Sequence, residues 1–157
     1  MVYKTEFKTD KDKREIVVIR TYNAPREKVF DTMTNKDLIP QWWGPREMTT
    51  KVDKMDLKPG GTWRFVQYDK AGKEFAFNGK YKEIKRPERL VYTFVYEGMP
   101  GKVLTETVRL EENNGKTTSI DRLKFPSVED MEGMLKAGME MGARESNDRF
   151  AELLKRI

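Results

Sequence analysis

The sequence contains no cysteine and no histidine. Without cysteine the chain can form neither a disulfide nor a zinc–thiolate site, and it has no thiol nucleophile. Without histidine it lacks the side chain that most often acts as a general base or a metal ligand near neutral pH. We therefore expect no metal site, no cofactor and no catalytic residue.

The sequence also shows neither an apolar run of about 18 residues nor a secretory h-region. These absences predict a cytoplasmic protein without a membrane span. The net charge is +5, but the 31 basic and 26 acidic residues are interspersed along the chain. Nucleic-acid binding typically uses a basic stripe or a recognisable motif. We therefore expect no nucleic-acid partner.

The 157 residues correspond to the usual size of one domain. Hydrophobic residues make up 37% of the chain, and the aromatic 11% bury much area per side chain. Residues 1–13 are polar and rich in lysine, which predicts a flexible arm or an extra edge segment. We expect a single domain over residues 14–157.

Local signals predict the order β-α-α-β6-α. The β-branched segment Arg14–Tyr22 is typical of a first strand. Asn23 is the candidate N-cap of a short helix, and Asn35 that of a second one ending at Pro40. Turn residues divide Met48–Phe125 into six strands. Because short turns join antiparallel neighbours, we expect a meander of about seven strands, with the first strand completing an edge.

A final helix begins at Ser127, and the middle of its buried face carries small residues. Gly138, Gly142 and Ser146 recur at every fourth position, while larger residues such as Met139 lie to either side. An interior glycine costs about 1 kcal/mol relative to alanine, so two on one face need a reason. Two explanations stay open: a close contact between helix and sheet, or an empty volume for a ligand.

The strands predicted to face this helix are rich in aromatic residues, which occur both in cores and in ligand pockets. The pattern predicts an α+β fold in which a curved antiparallel sheet wraps around the C-terminal helix. The candidate ligand-binding residues are Trp43, Trp63, Phe65, Phe77, Tyr81, Tyr92, Phe94, Glu106, Arg122, Gly138, Met139, Gly142 and Ser146.

The hairpin around Asn113–Gly115 predicts a charge pair. A three-residue loop with Gly115 in the left-handed conformation would place Glu106 opposite Arg122. If this face points inward, the two side chains form an ion pair in the cavity or at its rim. A bulge, or a strand end that emerges into solvent, would separate them from the cavity. Both outcomes stay open.

Six segments, taken in order, resemble one protein family. The resemblance is to the bacterial homologues of the activator of the heat-shock-protein-90 ATPase, a branch of the START-like, or SRPBCC, superfamily. It implies a helix-grip fold with a deep apolar cavity between the sheet and the last helix. The segments are residues 20–30 (RTYNAPREKVF), 42–45 (WWGP), 59–64 (PGGTWR), 79–84 (GKYKEI), 87–90 (PERL) and 138–146 (GMEMGARES).

The resemblance implies no single activity, because the superfamily includes lipid carriers, polyketide cyclases and chaperone activators. The first hypothesis is non-catalytic binding or carriage of a small apolar molecule: a lipid, a polyketide or an aromatic compound. The second is a cyclase-like or dehydratase-like enzyme acting on a polyketide or aromatic substrate. The third is a stress protein that binds a chaperone. A homodimer through a sheet edge or through Trp42 and Trp43 is a further hypothesis.

Overall fold

One antiparallel sheet of eight strands dominates the computed structural model, which describes residues 3–157. Neighbouring strands in the sheet follow the order β1-β2-β8-β7-β6-β5-β4-β3 once the elements are numbered along the chain. These are β1 (Glu6–Asp10), β2 (Glu15–Tyr22), α1 (Arg26–Met33), a 3-10 helix (Ile39–Gln41), β3 (Thr49–Met55), β4 (Thr62–Tyr68), β5 (Glu74–Lys85), β6 (Arg89–Tyr96), β7 (Leu104–Asn113), β8 (Lys116–Lys124), α2 (Val128–Lys136) and α3 (Met139–Arg156).

The α+β class, the helix-grip arrangement and the six strands between Met48 and Phe125 are confirmed. The count of about seven strands was one too low because the N-terminal segment adds β1, which pairs antiparallel with β2. Thr5, just before β1, is buried, and its carbonyl accepts a hydrogen bond from the Arg144 guanidinium at 3.1 Å. Consequently β1, and not β2, forms this edge of the sheet.

Irregular pairing helps the sheet to curve. The register shifts between Val52 and Lys54, where β3 pairs with β4. It shifts again between Tyr81 and Glu83, where β5 pairs with β6. A bulge of this kind bends its strand and increases the local twist. The curved sheet can therefore enclose the helices on one face.

The start of the chain's helical segments differs from the prediction at two points. α1 begins after Pro25, whose carbonyl accepts the first helical hydrogen bond from Val29 at 3.1 Å, so Asn23 is not the N-cap. The side chain of Asn35 accepts a hydrogen bond from the Asp37 amide at 2.9 Å and closes a turn. The second short helix follows that turn as the 3-10 helix, which contains the proline expected to end it.

The single C-terminal helix of the prediction is two helices. Ser127 caps α2 by accepting a hydrogen bond from the amide of Asp130 at 3.1 Å. The chain then leaves the helical path at Gly138, whose φ of +88° lies in the left-handed region. Glycine enters this region without steric cost and commonly ends a helix there. Gly138 therefore ends α2 and is not a thin point within a longer helix.

Two apolar clusters connect the helices to the sheet. The larger cluster contains Phe150 and Leu154 of α3 together with inward-facing rings such as Trp63. The smaller cluster contains Met131 of α2 together with Ile16 and neighbouring residues of β2, β7 and β8. Each of the two C-terminal helices is thus anchored to its own part of the sheet.

Candidate ligand-binding site

A cavity of about 660 Å³ lies between the inner face of the sheet and the helices α2 and α3. Sites that enclose small molecules usually measure about 300–1,000 Å³. All of the candidate ligand-binding residues line this cavity except Arg122: Trp43, Trp63, Phe65, Phe77, Tyr81, Tyr92, Phe94, Glu106, Gly138, Met139, Gly142 and Ser146.

A connected group of aromatic rings forms one wall of the cavity. The centroids of Trp63 and Phe65 are 4.8 Å apart, and those of Phe77 and Phe94 are 5.4 Å apart. Trp43 contacts Phe65 and Phe77 edge-on, at 5.2 and 5.3 Å, from the loop that follows the 3-10 helix. Edge-to-face contacts of this kind stabilise ring pairs beyond the area they bury. The loop is therefore packed against the aromatic wall.

The three small residues of the C-terminal segment have three different roles. Gly138 ends α2, as described above. At Gly142 an added Cβ would meet only the Cγ of Pro45, at an ordinary contact distance of 3.8 Å, so α3 is not pressed onto the sheet there. The hydroxyl of Ser146 donates to the carbonyl of Trp42 at 3.1 Å and accepts from the amide of Gly44 at 3.2 Å. Empty volume therefore explains Gly142 alone.

Arg149 also holds the loop over the cavity and was not among the predicted residues. Its Nη1 donates to the carbonyl oxygens of Gly44 at 2.9 Å and of Pro45 at 3.3 Å. Its Nη2 donates to the carbonyl of Pro40 at 3.3 Å. The Arg149 side chain of α3 therefore forms hydrogen bonds to several backbone carbonyls of the segment from Pro40 to Pro45. Sequence offers little sign of this role, because the carbonyl partners are more than 100 residues away.

The turn between β7 and β8 is tighter than predicted. Asn114 and Gly115 have φ values of +55° and +77°, and Asn113 lies opposite Lys116. This is a two-residue loop with positive φ at both positions, for which Asn-Gly is the preferred sequence. The register of the hairpin is therefore shifted by one residue from the predicted one.

The shift moves Arg122 out of the cavity. Glu106 lies opposite Leu123, and its side chain faces inward. A slip of one residue turns a side chain to the other face of the sheet. Arg122 is accordingly 53% exposed and donates to Glu15 at 2.8 Å. The predicted ion pair between Glu106 and Arg122 is wrong.

The same register brings a second carboxyl group, that of Asp121, to the cavity wall. Asp121 lies opposite Val108, two residues along β7 from Glu106, so the two carboxyls are diagonal neighbours on one face. Tyr92 of β6 lies directly opposite Glu106. Asp121 was missed because the predicted register turned it outward. The Asn-Gly dipeptide is the signal that could have placed it correctly.

Enclosure by protein changes the acidity of this carboxyl pair. Burial raises the pKa of Glu106, although hydrogen bonds from Asp121 and Tyr92 oppose the rise. Burial raises the pKa of Asp121 well above its ordinary value, and the negative charge of Glu106 raises it further. The pair therefore binds a proton more readily than two free carboxyls do.

We expect the pair to make stability depend on pH. Because both folded-state pKa values are raised, the folded protein keeps protons that the unfolded chain releases above about pH 4. The free energy of unfolding should therefore fall as the pH rises from about 4 through the raised values. Asp121→Asn should reduce this fall, so the stability of the variant relative to the wild type should increase as the pH rises. Urea unfolding at several pH values measures the effect.

The matched control for this series is Asp12→Asn, which changes an exposed carboxyl that does not line the cavity. Its unfolding free energy should follow the wild-type pH dependence. If Asp121→Asn showed the same pH dependence as the control, the raised pKa of the pair would be contradicted.

Five buried polar atoms have no hydrogen-bond partner among residues 3–157, and all five belong to residues that line the cavity. They are Arg20 Nε, Trp42 Nε1, Trp63 Nε1, Gln67 Nε2 and Asp121 Oδ1. Buried polar groups in folded proteins nearly always have a partner. The five residues come from β2, β4, β8 and the loop after the 3-10 helix, so the unpartnered atoms are distributed around the cavity.

Several solved bacterial structures are similar to this chain over most of its length. Ms6760 from Mycobacterium smegmatis is 20% identical, with a TM-score of 0.88 and coverage of 96% of each chain. A protein from Arthrobacter aurescens is 21% identical, with a TM-score of 0.90 and coverage of 97% of this chain and 92% of that one. CV1439 from Chromobacterium violaceum is 26% identical, with a TM-score of 0.77 and coverage of 90% and 96%. These likenesses confirm the fold.

No curated protein matches the chain significantly. Within residues 3–157, no helix is long and apolar enough to cross a membrane. The family model described as "Activator of Hsp90 ATPase homolog 1-like protein" matches residues 23–155. The chain therefore belongs to this family, within the SRPBCC superfamily that the sequence resemblance indicated.

Proposed function

We propose that this protein binds a small hydrophobic ligand in the cavity between the sheet and the helices α2 and α3. The observation that carries the proposal is a largely apolar space of about 660 Å³ between the sheet and both helices, whose lining residues include five with an unpartnered buried polar atom. Apolar walls provide affinity by removing ligand surface from water, and a few polar groups orient the ligand.

The size of the cavity suggests the affinity to expect. A ligand of about 20 non-hydrogen atoms, at about 0.3 kcal/mol per atom, would bind with a free energy of about −6 kcal/mol. This corresponds to a Kd of about 40 μM. Tighter binding would require the polar atoms to be satisfied as well.

Titration with N-phenyl-1-naphthylamine, a fluorophore that brightens in apolar surroundings, tests the proposal. We expect saturable binding of about one molecule per chain with a Kd of about 10–100 μM. Native mass spectrometry of the purified protein should show the same stoichiometry, and it would reveal any apolar molecule that copurifies. A fluorescence signal that rises without saturation, together with the mass of the bare chain alone, would contradict ligand binding.

The carboxyl pair also favours a second candidate, a cyclase-like enzyme. Two neighbouring carboxyls with raised pKa values can act as acid and base on one substrate. The fold is shared with DynU16, a protein of the dynemicin biosynthetic locus, at 19% identity and a TM-score of 0.68 over 47% of that chain. Turnover of an aromatic polyketide substrate that is lost in both Glu106→Gln and Asp121→Asn would support this candidate. A chaperone partner, a homodimer and a cytoplasmic location stay predictions.

A further inference from the structure

We propose that Glu106 and Asp121 form a recognition site for a protonated amine, so that the ligand is an apolar molecule with one basic nitrogen. This inference rests on the proposed function, because the amine must enter the same cavity. It goes further by assigning a chemical class to the ligand and a position to its polar group.

The pair is acidic and has no basic partner. Glu106 is 8% exposed, and neither carboxyl takes part in an ion pair within the described part of the chain. Arg20 also reaches the cavity wall, from the neighbouring strand β2, where it lies opposite Ser119. Its Nε is unpartnered, but its charge is already paired with Asp148, to which Nη1 donates at 2.6 Å, and Nη1 also donates to Thr5 at 3.1 Å. The charge of the pair is thus left for a cation that comes from outside.

The surroundings of the pair also suit a cation. Tyr92 lies opposite Glu106, and its ring centroid is 5.9 Å from that of Trp63 and 6.4 Å from that of Tyr81. The faces of aromatic rings carry partial negative charge and attract ammonium groups, most strongly where water is excluded. Rings and carboxyls together would stabilise an amine. A ligand carboxylate at this position would be repelled by both.

The hydrogen-bonding capacity of the pair matches an ammonium group better than a hydroxyl group. Asp121 Oδ1 is buried and lacks a partner within residues 3–157, and Glu106 offers further acceptor positions. A primary ammonium group has three N–H donors and can bond to both carboxyls at once, whereas a hydroxyl group has one donor. Hydrogen bonds between charged partners are also the stronger kind.

Binding of a cation should release a proton. The titratable and charged groups around the pair are Tyr92 of β6, Tyr81 of β5, Tyr22 of β2, and Arg20 of β2 with its partner Asp148 of α3. Burial raises the pKa of all three tyrosines, so these remain neutral. A positive charge beside the carboxyls favours their ionised forms. The proton that they share should therefore leave when an amine binds.

Three probes with the same ring system separate the classes of ligand: 2-(1-naphthyl)ethylamine, 2-(1-naphthyl)ethanol and 1-naphthylacetic acid. In calorimetric titrations at about pH 7 we expect the amine to bind about ten times more tightly than the alcohol, and the acid to bind most weakly. Repeating the amine titration in buffers with different ionisation enthalpies should reveal release of up to about one proton per amine bound. The alcohol should release none.

Two isosteric variants test whether Glu106 and Asp121 cause the preference for the amine. In Glu106→Gln and in Asp121→Asn, the ratio of amine to alcohol affinity should fall about tenfold. Glu111→Gln, which changes an exposed carboxyl on the same strand β7, should keep the wild-type ratio. Circular dichroism checks that each variant folds, and the comparison of probes on the wild type remains informative if one does not.

The outcomes distinguish this inference from the proposed function. If the alcohol binds as tightly as the amine to the wild type, the amine site is contradicted while ligand binding stands. If no probe binds, both the amine site and the proposed function are contradicted. If both variants keep the wild-type ratio, the amine is bound elsewhere and the assignment to Glu106 and Asp121 is wrong.

Discussion

Gly142→Leu should abolish the binding of N-phenyl-1-naphthylamine and leave the protein folded. A Cβ at this position contacts only Pro45 Cγ, at 3.8 Å, so the rest of a leucine side chain would extend into the cavity. Leucine also favours a helix by almost 1 kcal/mol relative to glycine. We therefore expect loss of the saturable fluorescence signal, with a free energy of unfolding equal to or above that of the wild type.

Gly142→Ala is the matched control for this experiment. It gains the same helix preference, but it adds only one methyl group at a position where there is space for it. Probe binding should therefore persist, and thermal unfolding should shift upward. A leucine variant that loses about 1–3 kcal/mol of stability and still binds the probe would indicate overpacking between helix and sheet, and not a filled cavity.

Phe150→Ala should cause the largest loss of stability. The Phe150 side chain is 3% exposed, and its ring lies 5.0 Å from Tyr22 and 4.9 Å from Trp42, edge-on in both cases. Truncation of a buried phenylalanine removes apolar burial and leaves a cavity, at a cost of about 3–5 kcal/mol. Urea unfolding measures this loss directly. Because Trp42 belongs to the loop that α3 holds over the cavity, ligand affinity should fall as well.

Met141→Ala is the control on the same helix. Met141 is 69% exposed, so its truncation should change the free energy of unfolding by at most about 0.5 kcal/mol. A loss in Phe150→Ala as small as that of the control would mean that the sheet and α3 can close around the missing ring. The role of Phe150 as the anchor of α3 would then be contradicted.

The strands were predictable because alternation and turn chemistry are local properties. The turns between Met48 and Phe125 contain glycine, proline and asparagine, and these residues mark the boundaries of β3 to β8. β1 was less accessible to prediction. Its sequence, EFKTD, has one large apolar residue, and its position depends on backbone pairing with β2 and on contacts made by α3.

The aromatic wall was predictable, but the acidic pair was not. Rings on alternating positions identify an inner face whichever exact pairing the strands adopt. The choice between Arg122 and Asp121 depended on whether the loop at Asn114 and Gly115 has two residues or three. A difference of one residue in that loop reverses the face of every side chain on β8. The polar part of the site is therefore more sensitive to local geometry than the apolar part.

Glycine itself gives an ambiguous signal. Gly138 and Gly142 lie four residues apart and look equivalent on a helical projection. Gly138 has a positive φ and ends α2, whereas Gly142 is an ordinary helical residue beside open space. The sequence shows that a side chain is missing at both positions, but only the backbone conformation distinguishes the two reasons.

The break at Gly138 separates two helices that are anchored in different apolar clusters. α3 is anchored by Phe150 and Leu154 in the larger apolar cluster, whereas α2 is anchored by Met131 in the smaller one. Both helices contribute to the wall of the same cavity. Substitutions in α2 can therefore change the length and shape of the cavity while the contacts of Phe150 and Leu154 that anchor α3 stay in place.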